Sequence, residues 1–245
     1  VSPEAYVEMA QNDAQHWWYV GRRAILEQTV RGLNLPAGAQ ILEVGCGTGG
    51  NLTMLRQFGR VSAFEMDKGA LKVARQKSGL PPEDLRQGAC PHQIPFERPI
   101  YDLICLFDVL EHIDQDTQTL KALGNLLAEG GRILLTVPAH PWLFGRHDQY
   151  SHHKRRYSLP QLERVAAAAQ FTVVQNSYFN MLLFPLAVLV RLLDRLPGSR
   201  VQVGTQPLPH LLNRLLLGIF QIERFWLPQR RLPFGLSILC LLARK

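Results

Sequence analysis

The chain has 245 residues, 47% of them hydrophobic and 19% charged, with a net charge of +7. That mix supports one sizeable core and excludes a disordered chain or a multi-span membrane protein. Four scattered cysteines (Cys46, Cys90, Cys105, Cys240) with no CxxC pair exclude a disulfide framework and a finger-type metal site, and suit a reducing, cytoplasmic setting.

In chain order, the first twenty residues carry Glu4, Glu8 and Asp13 and no apolar run, so no signal peptide is expected. "RRAILEQTVRGL" (22–33) has helical apolar spacing. "AQILEV" (39–44) reads as a short buried strand running into glycines, and "NLTML" (51–55) opens a helix. "VSAFEM" (61–66) is a strand, "GALKVARQK" (69–77) a helix and "YDLICLF" (101–107) a buried strand. An amphipathic helix is predicted over 116–131, then a strand over 132–138. Ser158, with proline two residues on, marks the N-cap of a further helix. "FTVVQNSYF" (171–179) and "FGLSILCLLA" (234–243) are the last two strands, with some fifty residues of Leu-rich helix between them. Helices alternating with strands indicate an α/β domain with a largely parallel sheet.

The strongest local signal is "ILEVGCGTGGNL" (41–52). A strand, closely spaced glycines and a helix start let backbone N–H groups approach a ligand. Glu65, twenty residues after Gly45, ends the next strand, where a carboxylate can accept both ribose hydroxyls of a nucleoside. Gly45, Gly47 and Gly50 also satisfy the dinucleotide pattern, so an NAD(P)-dependent oxidoreductase is an alternative. Glu43 argues against a pyrophosphate beside the loop and suits a ligand bearing an ammonium and a sulfonium, such as S-adenosylmethionine (SAM). Tyr150 and Lys154 spell YxxxK, the pair of short-chain dehydrogenases, but the segment runs into Arg155, Arg156 and Pro160 and reads as a loop.

With its "LEVGCGTG" loop, Glu65, the block "IPFERPIYDLICLFDVLEHI" (94–113) and the strand "GGRILLTVP" (130–138), the chain resembles class I SAM-dependent methyltransferases; "DVLEHI" is similar to the ubiquinone-type O-methyltransferases. The resemblance implies a Rossmann-like, doubly wound, seven-stranded sheet with the last strand antiparallel. It also implies S-adenosylhomocysteine as product. Four segments are expected: an N-terminal lid and first helix (1–38), a SAM-binding core (39–179), a helical insertion between the last two strands (180–232) and the final strand (233–245). By the same resemblance, Gly45, Cys46 and Gly47 face the methionine part, Glu65 the ribose and Met66 one adenine face. Ala89 and Cys90 lie at the adenine edge, and Leu106, Phe107 and Asp108 border the methionine ammonium.

A hydroxyl nucleophile needs a proton acceptor, and His112 and His147 are the candidates. Asp148, Arg155 and Arg156 form a basic loop suited to gripping an anionic acceptor. The segment "HWWYVGRR" (16–23), with two tryptophans costly to expose, is predicted to cover the cofactor mouth, with Tyr19 and Arg23 bonding the SAM carboxylate. No metal is expected, since no spacing fixes the loop histidines.

Residues 1–175 carry 18 Lys/Arg against 18 Asp/Glu, whereas residues 176–245 carry nine basic residues against Asp194 and Glu223. Basic residues set in leucine runs point to an anionic membrane surface rather than nucleic acid, and to a lipid-linked or amphipathic acceptor. The other reading of the same leucines is a homodimer surface, with a soluble metabolite as acceptor; a SAM-binding protein without catalysis is the third.

Overall fold

The computed structural model describes residues 3–98, 100–195, 208–227 and 230–245; Arg200, counted above among the basic residues of the insertion, lies outside them. The elements run α1 (Pro3–Asn12), α2 (Trp17–Gly32), β1 (Gln40–Val44), α3 (Leu52–Leu55), β2 (Arg60–Glu65), α4 (Lys68–Ser78), β3 (Leu85–Gln87) and β4 (Tyr101–Phe107). They continue with α5 (Asp116–Gly124), β5 (Leu127–Pro138), α6 (Arg146–Tyr150), α7 (Leu159–Ala168), β6 (Phe171–Phe179), α8 (Phe184–Asp194), α9 (His210–Gln221) and β7 (Ser237–Arg244).

One seven-stranded sheet has the order β3-β2-β1-β4-β5-β7-β6. β1 pairs in parallel with β2 and β4, while β7 runs antiparallel between β5 and β6. The central strands bury apolar residues on both sides because helices cover both faces. Ile41, Leu103, Cys105 and Leu134 point to one core, and Leu42, Ile104, Leu106 and Leu135 to the other. Strand order reverses between β1 and β4, and in open sheets of this kind ligands bind beyond the carboxyl ends of the strands at that point.

Two predicted boundaries move. The helix expected over 116–131 ends at Gly124, and the next strand begins at Leu127. The register jumps from Tyr101–Leu127 to Leu103–Arg132, so β5 carries a bulge, with Gly130 at φ +75°. The tryptophan segment forms the first turn of α2 rather than preceding the helix, and Trp17, Trp18 and Tyr19 line the cavity; His16 accepts a hydrogen bond from the Trp18 N–H at 3.3 Å. Trp18 stacks on Phe220 of α9 at 5.4 Å and on Phe179 of β6 at 6.3 Å. Asn213 adds two bonds of 2.9 Å each, accepting from the Trp17 N–H and donating to the Gln15 carbonyl. The tryptophans therefore fasten the insertion to the N-terminal helix.

Candidate functional site

A cavity of about 770 Å³ opens at the carboxyl ends of β1, β2 and β4. At its cofactor end, Gly45 and Gly47 adopt φ +63° and +55°, and a Cβ on Gly45 would come within 2.9 Å of Val109. Only glycine fits a turn this tight and this close to the wall. Glu65, buried at the end of β2, accepts the Gly47 N–H on Oε2 at 2.8 Å and the Asp67 N–H on Oε1 at 3.0 Å. The Tyr6 hydroxyl of α1 also donates to Oε1, at 3.0 Å. Glu65 thus already accepts an O–H from the cavity side, the chemistry a ribose diol requires.

Cys46, Met66, Ala89, Cys90, Phe107, Asp108 and Tyr19 also line the cavity. Met66 is two-thirds exposed (66%), a bare apolar surface fit to meet a flat ring. Burial pushes the Cys90 thiol up to about 12, so it stays neutral. Asp108, at φ +56°, accepts from the Thr136 hydroxyl at 3.1 Å and pairs with Arg22. A non-glycine residue held there stores strain that the surrounding bonds must hold in place.

Two expected cofactor contacts, Leu106 and Glu43, lie off the cavity wall. Leu106 is fully buried in the core behind the wall, because alternate residues of a strand face opposite sides. Glu43 sits beneath the loop, where Asn51 donates to its Oε1 at 2.8 Å and Oε2 has no hydrogen-bond partner. Burial raises it to about 7. Arg23 lines the cavity and donates from its two terminal nitrogens to the Gly50 and Asp13 carbonyls, each at 2.7 Å. Arg22, one residue earlier, is the guanidinium that meets Asp108, and sequence reasoning missed it. A helix turns 100° per residue, so only the packed structure decides which of two adjacent arginines faces inward.

The acceptor end gathers groups from three segments. Asp148 of α6 is fully buried and accepts from Arg156 Nε at 2.8 Å, His153 Nδ1 at 2.9 Å and the Gly145 N–H at 3.0 Å. Arg191 of α8 lies 3.4 Å from its other oxygen. Burial alone would raise its pKa, but the bonds from His153 and Arg156 hold the carboxyl well below the usual range. Asp148 and Arg156 therefore serve each other rather than an outside anion, although Arg156 still borders the cavity. Arg155 is off the cavity wall and pairs with Asp116 at 3.0 Å.

His112 and His147 both line the cavity. Burial lowers His112 to about 4 and His147 to about 3, with the His153 and Arg191 charges adding to the respective shifts. Each is a weak proton acceptor. Glu111, fully buried beside them, has no hydrogen-bond partner on either oxygen among the described residues; burial and the Asp108 charge push it up. Glu111, His112 and His153 bring donor atoms within 4.8 Å of one another. The guanidiniums of Arg22 and Arg156 add positive charge at Glu111, which opposes a dication there and suits a proton-handling cluster.

The glycine turn, the Glu65 carboxylate and the switch-point cavity fit a nucleoside-bearing ligand, and the buried Thr48 hydroxyl, without a partner on the cavity wall, adds a polar group to that end. Comparison with known proteins agrees. A family model described as a methyltransferase domain matches residues 9–176. A ubiquinone biosynthesis O-methyltransferase of Xanthomonas axonopodis pv. citri (strain 306) is 33% identical over 107 residues, 42% of this chain and 44% of that protein. The chain thus spans under half the length of that relative. A structure of the Haloferax volcanii Trm112 methyltransferase activator with a methyltransferase is similar at a TM-score of 0.62 and 14% identity, covering 100% of this chain and 99% of that one. A geranyl diphosphate methyltransferase in complex with SAM is similar at a TM-score of 0.58 and 14% identity, covering 92% and 85%. The likeness to the two structures shows a shared fold, and the family match extends over most of the sheet. The chain belongs to the methyltransferase domain family.

Proposed function

We propose that the protein transfers a methyl group from SAM to an oxygen of a lipid-linked or amphipathic acceptor that reaches the cavity from an anionic membrane surface. SAM supplies an electrophilic methyl group on a sulfonium. Gly45, Gly47 and Glu65 would hold its nucleoside end, Met66, Ala89 and Cys90 the base, and Asp108 the ammonium. The chain contributes alignment: a rigid glycine turn at one end and a walled acceptor space at the other, so two reactants meet in line.

The observation that carries the acceptor half is α8. Ala187 and Arg191 form part of the cavity wall, while Leu186, Leu189, Leu192 and Leu193 stand exposed on the same helix. Leu211, Leu215, Phe225 and Trp226 extend the bare apolar surface through α9 and the turn after it. Arg191, expected to face lipid, bonds inward to Asp148, while Arg195 stays exposed and donates to the Trp142 carbonyl at 2.5 Å. Arg214, Arg230 and Arg231 remain exposed beside the leucines. No helix among the described residues is long and apolar enough to cross a membrane, so attachment would be at the surface. The relative named for ubiquinone biosynthesis and the one acting on geranyl diphosphate support a tailed acceptor.

The test has two arms. The protein is sedimented with anionic phosphatidylglycerol and neutral phosphatidylcholine vesicles at low and high salt, and methyl-labelled SAM is supplied with a bacterial lipid extract. Salt-sensitive pelleting with anionic vesicles and label in the organic phase are expected. Label confined to water-soluble product, with no pelleting and a concentration-dependent dimer, would replace the reading with a soluble acceptor and a dimer surface.

A further inference from the structure

We propose that His153 is the proton acceptor for the attacking hydroxyl, held in its basic tautomer by Asp148. The assignment rests on oxygen methylation as argued above, and goes beyond it by naming the base.

The geometry decides the tautomer. Asp148 is fully buried among Arg156, Arg191 and the Gly145 N–H, and an ionised carboxylate only accepts hydrogen bonds. At 2.9 Å from it, His153 Nδ1 must carry the proton. Nε2 is then left with its lone pair. That atom stands 3.9 Å from Glu111 Oε1, too far for a hydrogen bond, and the ring borders the cavity. The groups facing the ring are Glu111 and His112 from the turn after β4, His147 and Asp148 of α6, and Arg156.

His112 and His147 lack this support. Among the described residues, the Nδ1 of His112 meets the His152 carbonyl, at 3.2 Å, and no carboxylate hydrogen bond backs His147. A carboxylate behind the ring stabilises the imidazolium formed when the proton arrives, and so strengthens the base where it is needed. In the step itself, the acceptor oxygen forms a bond to the methyl carbon as the carbon–sulfur bond of SAM breaks. The electron pair stays on sulfur as the thioether of S-adenosylhomocysteine, and the hydroxyl proton passes to His153 Nε2.

The test combines a measurement that needs no acceptor with one that does. Nitrogen-15 spectra of histidine-labelled protein should show His153 protonated on Nδ1 and bare on Nε2, and Asp148→Asn should shift it toward the other tautomer. His153→Ala should keep SAM affinity by calorimetry, lower single-turnover transfer to the lipid extract by about 10²- to 10⁴-fold, and recover part of the rate with added imidazole. An Nε2-protonated His153 in the wild type would overturn the assignment. So would full transfer by His153→Ala, or transfer lost to a chelator and restored by Mn²⁺. If the wild type labels no lipid while the expected tautomer is found, the acceptor reading fails and the Asp148–His153 arrangement stands.

Discussion

The two ends of the cavity are built by different means. At the cofactor end, the contacts that shape the glycine loop are short in sequence: Glu65 reaches Gly47 across 18 residues and Asp67 across two, and Asn51 reaches Glu43 across eight, while Tyr6 and Arg22 reach in from 59 and 86 residues away. At the acceptor end, Asp148 meets Arg191 from 43 residues away, and Lys154 donates its backbone N–H to the carbonyl of Glu111. The first end is held by backbone geometry that a strand-glycine-helix sequence dictates. The second is held by a buried charge, Asp148, which takes Gly145, His153 and Arg156 from its own stretch of chain and gains Arg191 only once α8 has docked. Backbone turns can keep a cofactor constant while side-chain clusters change the acceptor.

That contrast can be broken by mutation. Asp148→Ala should be the most damaging change, because it strands the buried Arg156 and leaves Arg191 and His153 without their shared acceptor. A loss of about 3–5 kcal/mol in unfolding free energy is expected by urea denaturation. A loss under about 1 kcal/mol would mean that the cluster is solvated and does not hold the acceptor end.

The acceptor end should also respond to pH. His147 binds a proton near pH 6.5 in the unfolded chain but only near 3 when folded. As pH falls below 6.5 the unfolded state takes up protons that the folded state does not, so stability is lost on acidification. Wild-type protein should lose about 1–2 kcal/mol more than His147→Gln between pH 6.5 and 5. Parallel stability curves would show that the ring titrates freely.

The smallest effect belongs to the cofactor end. Tyr6 donates to the same Glu65 oxygen that a ribose hydroxyl would use, and the sulfur of Met9 lies 3.1 Å from where a Gly47 Cβ would stand. α1 is also tied to the acceptor side by Tyr150, whose hydroxyl donates to Glu8 at 2.9 Å. Tyr6→Phe removes the competitor and should tighten SAM binding about two- to tenfold, since water replaces much of what the phenol supplies to the Glu65 carboxylate. Weaker binding would make Tyr6 a support for Glu65 instead.

The sheet was legible because buried central strands such as "LICLF" and "ILLTV" are apolar-rich runs bounded by turn residues. The glycine turn and Glu65 were legible because their contacts follow from spacing. β3 escaped notice, since three residues with only Leu85 buried leave no period to read. Arg22, the burial of Asp148 and the inward turn of Arg191 escaped for another reason. Each depends on which side of a helix meets a distant segment, and a charged residue in sequence looks the same whether it faces solvent or a buried partner. His153 was one of four histidines within "HDQYSHHKRRY" and its neighbourhood, and only the fold singles it out by placing Asp148 behind its ring.

Glu65 and the glycine turn should together form the nucleoside site of a methyltransferase. Calorimetric titration of SAM into wild type and Glu65→Ala tests it most directly. One site should bind SAM in the wild type, and the variant should lose at least about tenfold in affinity, since each charged hydrogen bond to the ribose contributes about 1.5–3 kcal/mol. Equal affinity in the two proteins would contradict the account.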